Sequence, residues 1–429
     1  MKKYRFVFII CFSLVSMPFF ASIPTDTAVI AEAGIQDTDI IVTDDLDSAW
    51  VVPSDFSESL DELLHDWYVE RSLVSECSKG IEIVTYSDSV YIDRLQKLPY
   101  IIPMPFNTIV GKMINFYVNH PQTVEYMLGL GEAYYFPIFE TTLSKYKLPL
   151  ELKYLPVIES ALNARAVSHA GAGGLWQFMV STGKIYNLEV NSLVDERCDP
   201  IKATDAAVRY LRDLYNIYHD WHLVIAAYNC GPGNVARAIR YSGGKKSYWE
   251  IYPFFPAETR SYVPIFIAAN YIMNYYQAHN ICPAKPKITT ATDTLMIRDR
   301  VHLEQISEVL AIPIEELRFL NPQYRQDLIP GNIKAYPLVL PFNQLGAYIG
   351  NHDTILAYHK ELVEQPGVVE PPKEAVYQSG FIYHKVRQGQ TLGEIAQKYH
   401  VTVSQIKRWN GLNGTMIRAG KKLKIYKKG

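Results

Sequence analysis

Asp199-Pro200-Ile201-Lys202-Ala203-Thr204-Asp205-Ala206-Ala207-Val208-Arg209-Tyr210-Leu211-Arg212-Asp213-Leu214-Tyr215-Asn216-Ile217-Tyr218 is the stretch that decides the fold class. Asp199 is a natural N-cap, able to accept from the first free N–H groups of a helix, and Pro200 takes the first helical position, where a missing N–H is harmless. Ala207, Tyr210, Leu211, Leu214, Tyr215 and Tyr218 then recur at steps of three and four, the apolar face of an amphipathic helix. Similar periodicity fills roughly residues 99–280, with helical runs at 223–228 and 262–276 on either side of the breaker Gly231-Pro232-Gly233. A mainly α fold is expected, a compact helical bundle followed by something smaller.

That something smaller is an internal repeat at an offset of 89 residues. Leu303, Ile306, Leu310, Ile312, Ile314, Leu317, Leu320 and Asn321 fall opposite Leu392, Ile395, Tyr399, Val401, Val403, Ile406, Trp409 and Asn410, and Gly331 falls opposite Gly420. Tyr383-His384-Lys385-Val386 and Lys422-Leu423-Lys424-Ile425 alternate like short strands around a helix pair, so each copy reads as a small α+β module of the form βααβ. Glu364-Gln365-Pro366-Gly367 and Glu370-Pro371-Pro372-Lys373 read as a linker between the copies.

Working outward to the N-terminus, Met1-Lys2-Lys3-Tyr4-Arg5, an apolar run over 6–17 and the small residues Ala21 and Ser22 have the layout of a secretory signal peptide. The run is shorter than the ~20 apolar residues that span a bilayer. Ile10 stands before Cys11 where a lipobox needs a small residue, which disfavours lipidation. The chain is 429 residues long, 48% apolar and 20% charged, a globular composition sufficient for two or three domains. Its net charge of −2 conceals an asymmetry: residues 22–66 carry twelve Asp or Glu and no Lys or Arg, whereas 381–429 carry eleven Lys or Arg and one Glu. The first reads as a solvated lead-in, the second as a module suited to an anionic polymer. Cys77, Cys198, Cys230 and Cys282 match no zinc spacing, and sequence gives no disulfide pairing among them. No P-loop, dinucleotide fingerprint or His-Glu-x-x-His pattern supports nucleotide or metal chemistry.

The densest stretch is Leu155-Pro156-Val157-Ile158-Glu159-Ser160-Ala161-Leu162-Asn163. A lone Glu among apolar residues is usually a surface carboxylate. Burial would instead raise its pKa and let it protonate a leaving oxygen near neutrality. Ser168 follows, then Gly171-Ala172-Gly173-Gly174-Leu175-Trp176-Gln177-Phe178, where glycines permit close backbone approach to a ligand and Trp176 and Gln177 suit a sugar's apolar face and acetamido group. Ala226-Ala227-Tyr228-Asn229-Cys230-Gly231-Pro232-Gly233 and Glu258-Thr259-Arg260-Ser261-Tyr262-Val263-Pro264 complete the set.

These four motifs, in this order, resemble the SLT (goose-lysozyme-like) domain of lytic transglycosylases, and most of all the membrane-bound lytic murein transglycosylase D type. Val386-Arg387-Gln388-Gly389-Gln390-Thr391-Leu392 resembles the opening of a LysM module, while the upstream copy has Asp299-Arg300-Val301-His302-Leu303 in its place. The resemblance implies a signal peptide at 1–22, an acidic lead-in at 23–98, a lysozyme-like α-helical catalytic domain at 99–282, a degenerate LysM-like module at 295–345, a linker at 346–380 and a LysM domain at 381–427. It implies an exported periplasmic or envelope enzyme, peripherally associated, whose partner is peptidoglycan built from N-acetylglucosamine and N-acetylmuramic acid, with no nucleic acid, no cofactor and no metal. Glu159 would be the acid and base, with Ser168, Trp176, Gln177, Tyr228, Asn229 and Glu258 at the substrate and Gly389, Gln390, Thr391 and Leu392 at the LysM glycan. Two rival readings follow: a lysozyme-type hydrolase drawing a second carboxylate from Asp195, Glu196 or Glu258, and a non-catalytic glycan-binding protein.

Overall fold

The structure, a computed structural model, describes residues 73–74, 82–286, 288–364, 381–387, 390–399, 401, 403–410, 412, 417 and 420–426. The leader expected at 1–22, most of the acidic lead-in, the linker beyond 364 and the LysM residue Gly389 lie outside the described residues. Two compact units divide the chain: one holds the described residues up to 296 together with 312–325 and 337–346, the other holds 297–311, 326–336 and those from 347 onward.

The first unit is helical, as its periodicity requires. Its elements are α1 (Asp88–Lys97), α2 (Thr108–Val118), α3 (Pro121–Leu130), a π-helical turn at Gly131–Tyr135, α4 (Phe136–Lys145), α5 (Leu155–Ser160), α6 (Val180–Ile185), α7 (Pro200–Tyr218), α8 (Trp221–Cys230), α9 (Pro232–Tyr241) and α10 (Ala257–Tyr275). Asp199 caps α7 as expected, accepting from the Ile201 and Lys202 N–H groups at 2.9 and 3.0 Å. The expected breaker Gly231-Pro232-Gly233 also starts a helix: Gly231 at φ 81 is a conformation glycine adopts freely, and Pro232 opens α9 at once.

Helix α10 is the axis of this unit, with α2, α5 and α8 packed along it. Its residues 259 and 261–273 are buried, and Pro264 lies inside it. A mid-helix proline removes the N–H that the Arg260 carbonyl would receive. The Tyr248 hydroxyl supplies the missing donor at 3.0 Å, so the helix survives its proline. Phe319 and Leu320, far later in sequence, are buried in the same core cluster as Trp176, Leu155 and Phe266. Cys198 and Cys230 are free thiols, and Cys282 is disulfide-bonded.

The repeat appears as matching hydrogen bonds. Strands β1 (Leu73–Val74) and β2 (Lys285–Pro286) pair antiparallel in the first unit. After β3 (Thr292–Ile297) and β4 (Arg300–His302), helix α11 (Leu303–Leu310) is capped by His302, whose Nδ1 accepts from the Glu304 N–H while Gln305 Oε1 accepts from the His302 N–H. Eighty-nine positions on, Thr391 caps α14 (Leu392–Lys398), and Glu394 Oε2 accepts in return from the Thr391 N–H. In the same way Asn321, ending α12 (Ile314–Leu320), bonds both ways with Val339 at 2.8 Å, and Asn410 bonds both ways with Lys424. Strands β5 (Leu328–Pro330) and β6 (Tyr336–Pro341) close the first copy, β4 pairing antiparallel with β5 and β3 bonding to β6. Helix α13 (His352–Ala357) packs on α11. In the second copy β7 (Phe381–Lys385) and β8 (Lys422–Tyr426) pair antiparallel around α14 (Leu392–Lys398) and α15 (Val403–Asn410), which is the expected βααβ module. Among the described residues no helix is long and apolar enough to cross a membrane.

Candidate active site

Glu159 stands one residue from the end of α5, a helix of only six residues that Ala161 and Leu162 terminate with φ of 48° and 63°. Two consecutive non-glycine residues in the left-handed region cost about 1–2 kcal/mol each, a local strain of the kind that gathers at functional positions. The strain is held by Leu162 N–H to Pro156 O at 3.2 Å and Asn163 N–H to Ser160 O at 2.8 Å. Fully buried Ser160 lies within reach of Pro156 O and, at 3.0 Å, of Leu175 O, so it fastens the Glu159 helix to the glycine-rich loop.

That loop is a tight backbone structure. Gly173 and Phe178 exchange both N–H to O bonds at 3.0 and 3.1 Å, and Gly174 N–H donates to Ala166 O at 2.9 Å. Arg197 lies beneath it, donating through Nη1 to the carbonyls of Gly171 and Phe178 at 2.7 and 2.9 Å. A Cβ on Gly173 would meet the Arg197 guanidinium at 3.0 Å, and one on Gly174, whose φ is 81°, would meet Arg197 O at 1.8 Å. Gly173 and Gly174 are thus required by their close approach to Arg197.

The Glu159 carboxyl is pushed up to about 7 by burial, against the hydrogen bond from Tyr262, which favours the ionised form. Tyr262 donates its hydroxyl to Glu159 Oε1 from inside the proline-bearing helix α10. Burial, and next the neighbouring Glu159 charge, drive the Tyr262 phenol itself well above its usual value, so it remains a donor. Sequence reasoning gave Tyr262 no role. It lies within the quoted segment 258–264, but only the packing of α10 on α5 reveals that it faces Glu159.

The other expected residues divide. Tyr228 is near enough to feel the Glu159 charge, yet its hydroxyl donates to Trp176 O at 2.7 Å and thereby supports the loop. Trp176 has no exposed surface and its indole N–H donates to Thr204 at 2.9 Å, so it is a core residue under the loop and offers no platform to a sugar. Gln177, at φ 45°, turns its amide N–H inward to Ala166 O and Gly174 O. Ser168 accepts from Ala172 N–H at 3.1 Å at an exposed turn of the same loop. Asn229 accepts from the Thr259 hydroxyl, and Glu258 is exposed in the first turn of α10, where the helix dipole favours a negative charge. Asp195 and Glu196, proposed as second carboxylates, are both committed elsewhere. Asp195 is gripped by Arg197 and Arg325, whose hydrogen bonds overcome the effect of burial and hold its carboxyl below the usual range. Glu196 pairs with Lys202 at 2.5 Å and accepts from Glu189 N–H.

In the C-terminal module, Leu392 is buried in the core. Gln390 Oε1 accepts from Arg387 N–H at 3.1 Å and from His384 Nε2 at 2.9 Å, and Thr391 is committed to its cap. Leu392 therefore packs inside its own module, and Gln390 and Thr391 shape the turn that precedes the helix.

The family described as the transglycosylase SLT domain matches residues 136–251, that of the lytic transglycosylase MltD LysM-like domain matches 291–357, and that of the LysM domain matches 384–425. Membrane-bound lytic murein transglycosylase D of Escherichia coli (strain K12) is 28% identical over 289 residues, 66% of this chain and 61% of that protein. A putative tributyltin chloride resistance protein of Alteromonas sp. (strain M-1) is 41% identical over 100 residues, 23% of this chain and 48% of that protein. Among solved structures, the 70 kDa soluble lytic transglycosylase SLT70 from Escherichia coli aligns with a TM-score of 0.31 and 23% identity over 39% of this chain and 30% of that one.

Proposed function

We propose that this chain, which carries a transglycosylase SLT domain followed by an MltD-type LysM-like domain and a LysM domain, is an exported lytic transglycosylase of the bacterial cell envelope acting on peptidoglycan. One observation carries the proposal: the Glu159 carboxyl is pushed up to about 7 and is held by Tyr262, while Asp195 and Glu196, two of the carboxylates a hydrolytic reading would draw on, are engaged in ion pairs. Glu159 protonates the oxygen between N-acetylmuramic acid and N-acetylglucosamine. The resulting carboxylate, stabilised by Tyr262, then takes the proton from the muramoyl C6 hydroxyl, which closes on C1 to a 1,6-anhydro ring. Hydrolysis would require a nucleophile or an activated water on the opposite face of the sugar. An internal hydroxyl needs neither, because its effective concentration is high. Ser168, Gln177, Asn229 and Glu258 border the glycan, Tyr228 acts through the loop it supports, and the basic C-terminal module holds the polymer.

The test is mass spectrometry of peptidoglycan digested by the purified protein. Products ending in 1,6-anhydromuramic acid are expected, one water lighter than hydrated ends. Predominantly hydrated, reducible ends would make it a hydrolase, with Glu258 as the remaining second carboxylate.

The acid's environment also sets a pH dependence. A proton donor must be protonated, so kcat/KM should fall as pH rises through about 7, approaching tenfold per unit above it. Tyr262→Phe removes the bond that favours the carboxylate, so the same fall should move to higher pH. A limb that moves downward in this variant would show that Tyr262 does not stabilise the ionised Glu159.

A further inference from the structure

Arg197 spans the glycine-rich loop from below. Its Nη1 reaches the carbonyls of Gly171 and Phe178, at the two ends of the loop, while Nε and Nη2 make a bidentate pair with Asp195 at 2.9 and 2.8 Å. Arg197 and Asp195 are almost wholly buried, at 3% and 4% side-chain exposure. A second guanidinium, Arg325, closes on Asp195 Oδ2 at 2.5 Å from a partly exposed position. Arg325 does not belong to the stretch matched by the SLT family; it lies within the LysM-like match, in the segment 312–325 that packs into the catalytic unit.

That segment is also joined through backbone. Asp195 N–H donates to Gln323 O and Arg325 N–H to Leu193 O, both at 2.8 Å, and Val194 bridges Tyr324 antiparallel. Phe319 sets its ring 5.1 Å from Tyr134 and is buried in the catalytic core. Above Arg197, the loop presents Leu175 O to Ser160, next to Glu159, and Trp176 O to Tyr228. An unbroken series of charged hydrogen bonds therefore runs from Arg325 through Asp195 and Arg197 to the backbone on which the Glu159 helix is fastened.

We infer that Asp195 and Arg325 are positioning residues of the active site, bracing the glycine-rich loop through Arg197, so that the 312–325 segment of the LysM-like domain is part of the catalytic machinery. Its activity readout rests on the transglycosylase reading; its structural readout does not. Bidentate carboxylate–guanidinium geometry fixes direction as well as distance, which suits a brace, and displacement of a catalytic group by about an ångström can lower a rate ~10²-fold.

The test compares Arg325→Ala and Arg325→Lys with the parental full-length protein, since Arg325 is partly exposed and its replacement leaves the buried Asp195–Arg197 pair in place. Hydrogen exchange at the Gly173 and Phe178 amides should accelerate ~10-fold or more in Arg325→Ala, while amides in the middle of α10 stay within about twofold. On soluble uncrosslinked glycan strands kcat should fall by roughly tenfold, with sedimentation on insoluble peptidoglycan unchanged and Arg325→Lys restoring part of the loss. Unchanged loop exchange would overturn the brace, and accelerated exchange with parental kcat would overturn its role in catalysis. If the parental protein turns over no glycan, the transglycosylase reading fails, and loop exchange decides the brace by itself.

Discussion

Glu159→Gln is expected to reduce turnover of glycan strands by at least ~10²–10⁴-fold, the range for loss of general acid and base work. The amide matches the carboxyl in shape and still offers an oxygen to Tyr262, so fold and glycan binding should survive while the proton is lost. The variant should also be the more stable protein at high pH. Burial raises the folded carboxyl from 4.5 to about 7, so its favourable contribution is complete below the unfolded value and is lost as pH rises through the folded one. The glutamine has no such penalty. Its melting temperature should match the parent's near pH 4–5 and exceed it near pH 8–9. Parental turnover in the purified variant would remove Glu159 from the mechanism, and parallel melting curves across this range would mean that its carboxyl is not perturbed.

Gly174→Ala is expected to be among the most destabilising single-methyl additions in the chain. At φ 81° an alanine pays the left-handed cost of ~1–2 kcal/mol. Its Cβ would also lie 1.8 Å from Arg197 O and 2.5 Å from Arg197 C, atoms of a backbone that Asp195 and Arg197 hold in place. Overpacking of this kind typically adds ~1–3 kcal/mol, giving ~2–5 kcal/mol together. Gly171 supplies the control, with φ of 83° and nothing within 4 Å of its absent Cβ. Gly171→Ala should lose only the conformational part. Equal shifts of the urea midpoint in the two variants would mean that contact with Arg197 does not fix the loop.

Local signals explain what was legible in the sequence. The Asp199-Pro200 start and the apolar steps behind it identified α7 because capping and periodicity act within a few residues. The offset of 89 held down to individual hydrogen bonds, since His302 and Thr391 both cap helices and Asn321 and Asn410 both tie a helix end to a strand. Side-chain orientation was not legible. Trp176 and Leu392 sit in motifs that suggest a ligand, yet both are enclosed by their own domains. Nothing in the local sequence distinguishes a glycine required by a substrate from one required by Arg197. Asp195 looked like a free carboxylate because its second partner, Arg325, is 130 positions away.

The burial of Phe319 and Leu320 in the helical core also governs how the protein is made. The chain emerges N-terminus first, so the helices through α10 are released before the segment that completes their core. Until then the apolar surface around Tyr134 and Tyr135 lacks its cover. Contacts this distant in sequence slow folding, because the intervening chain must be ordered before they form. A chain that stops before residue 312 accordingly leaves part of the helical core uncovered and should be a client for chaperones and proteases.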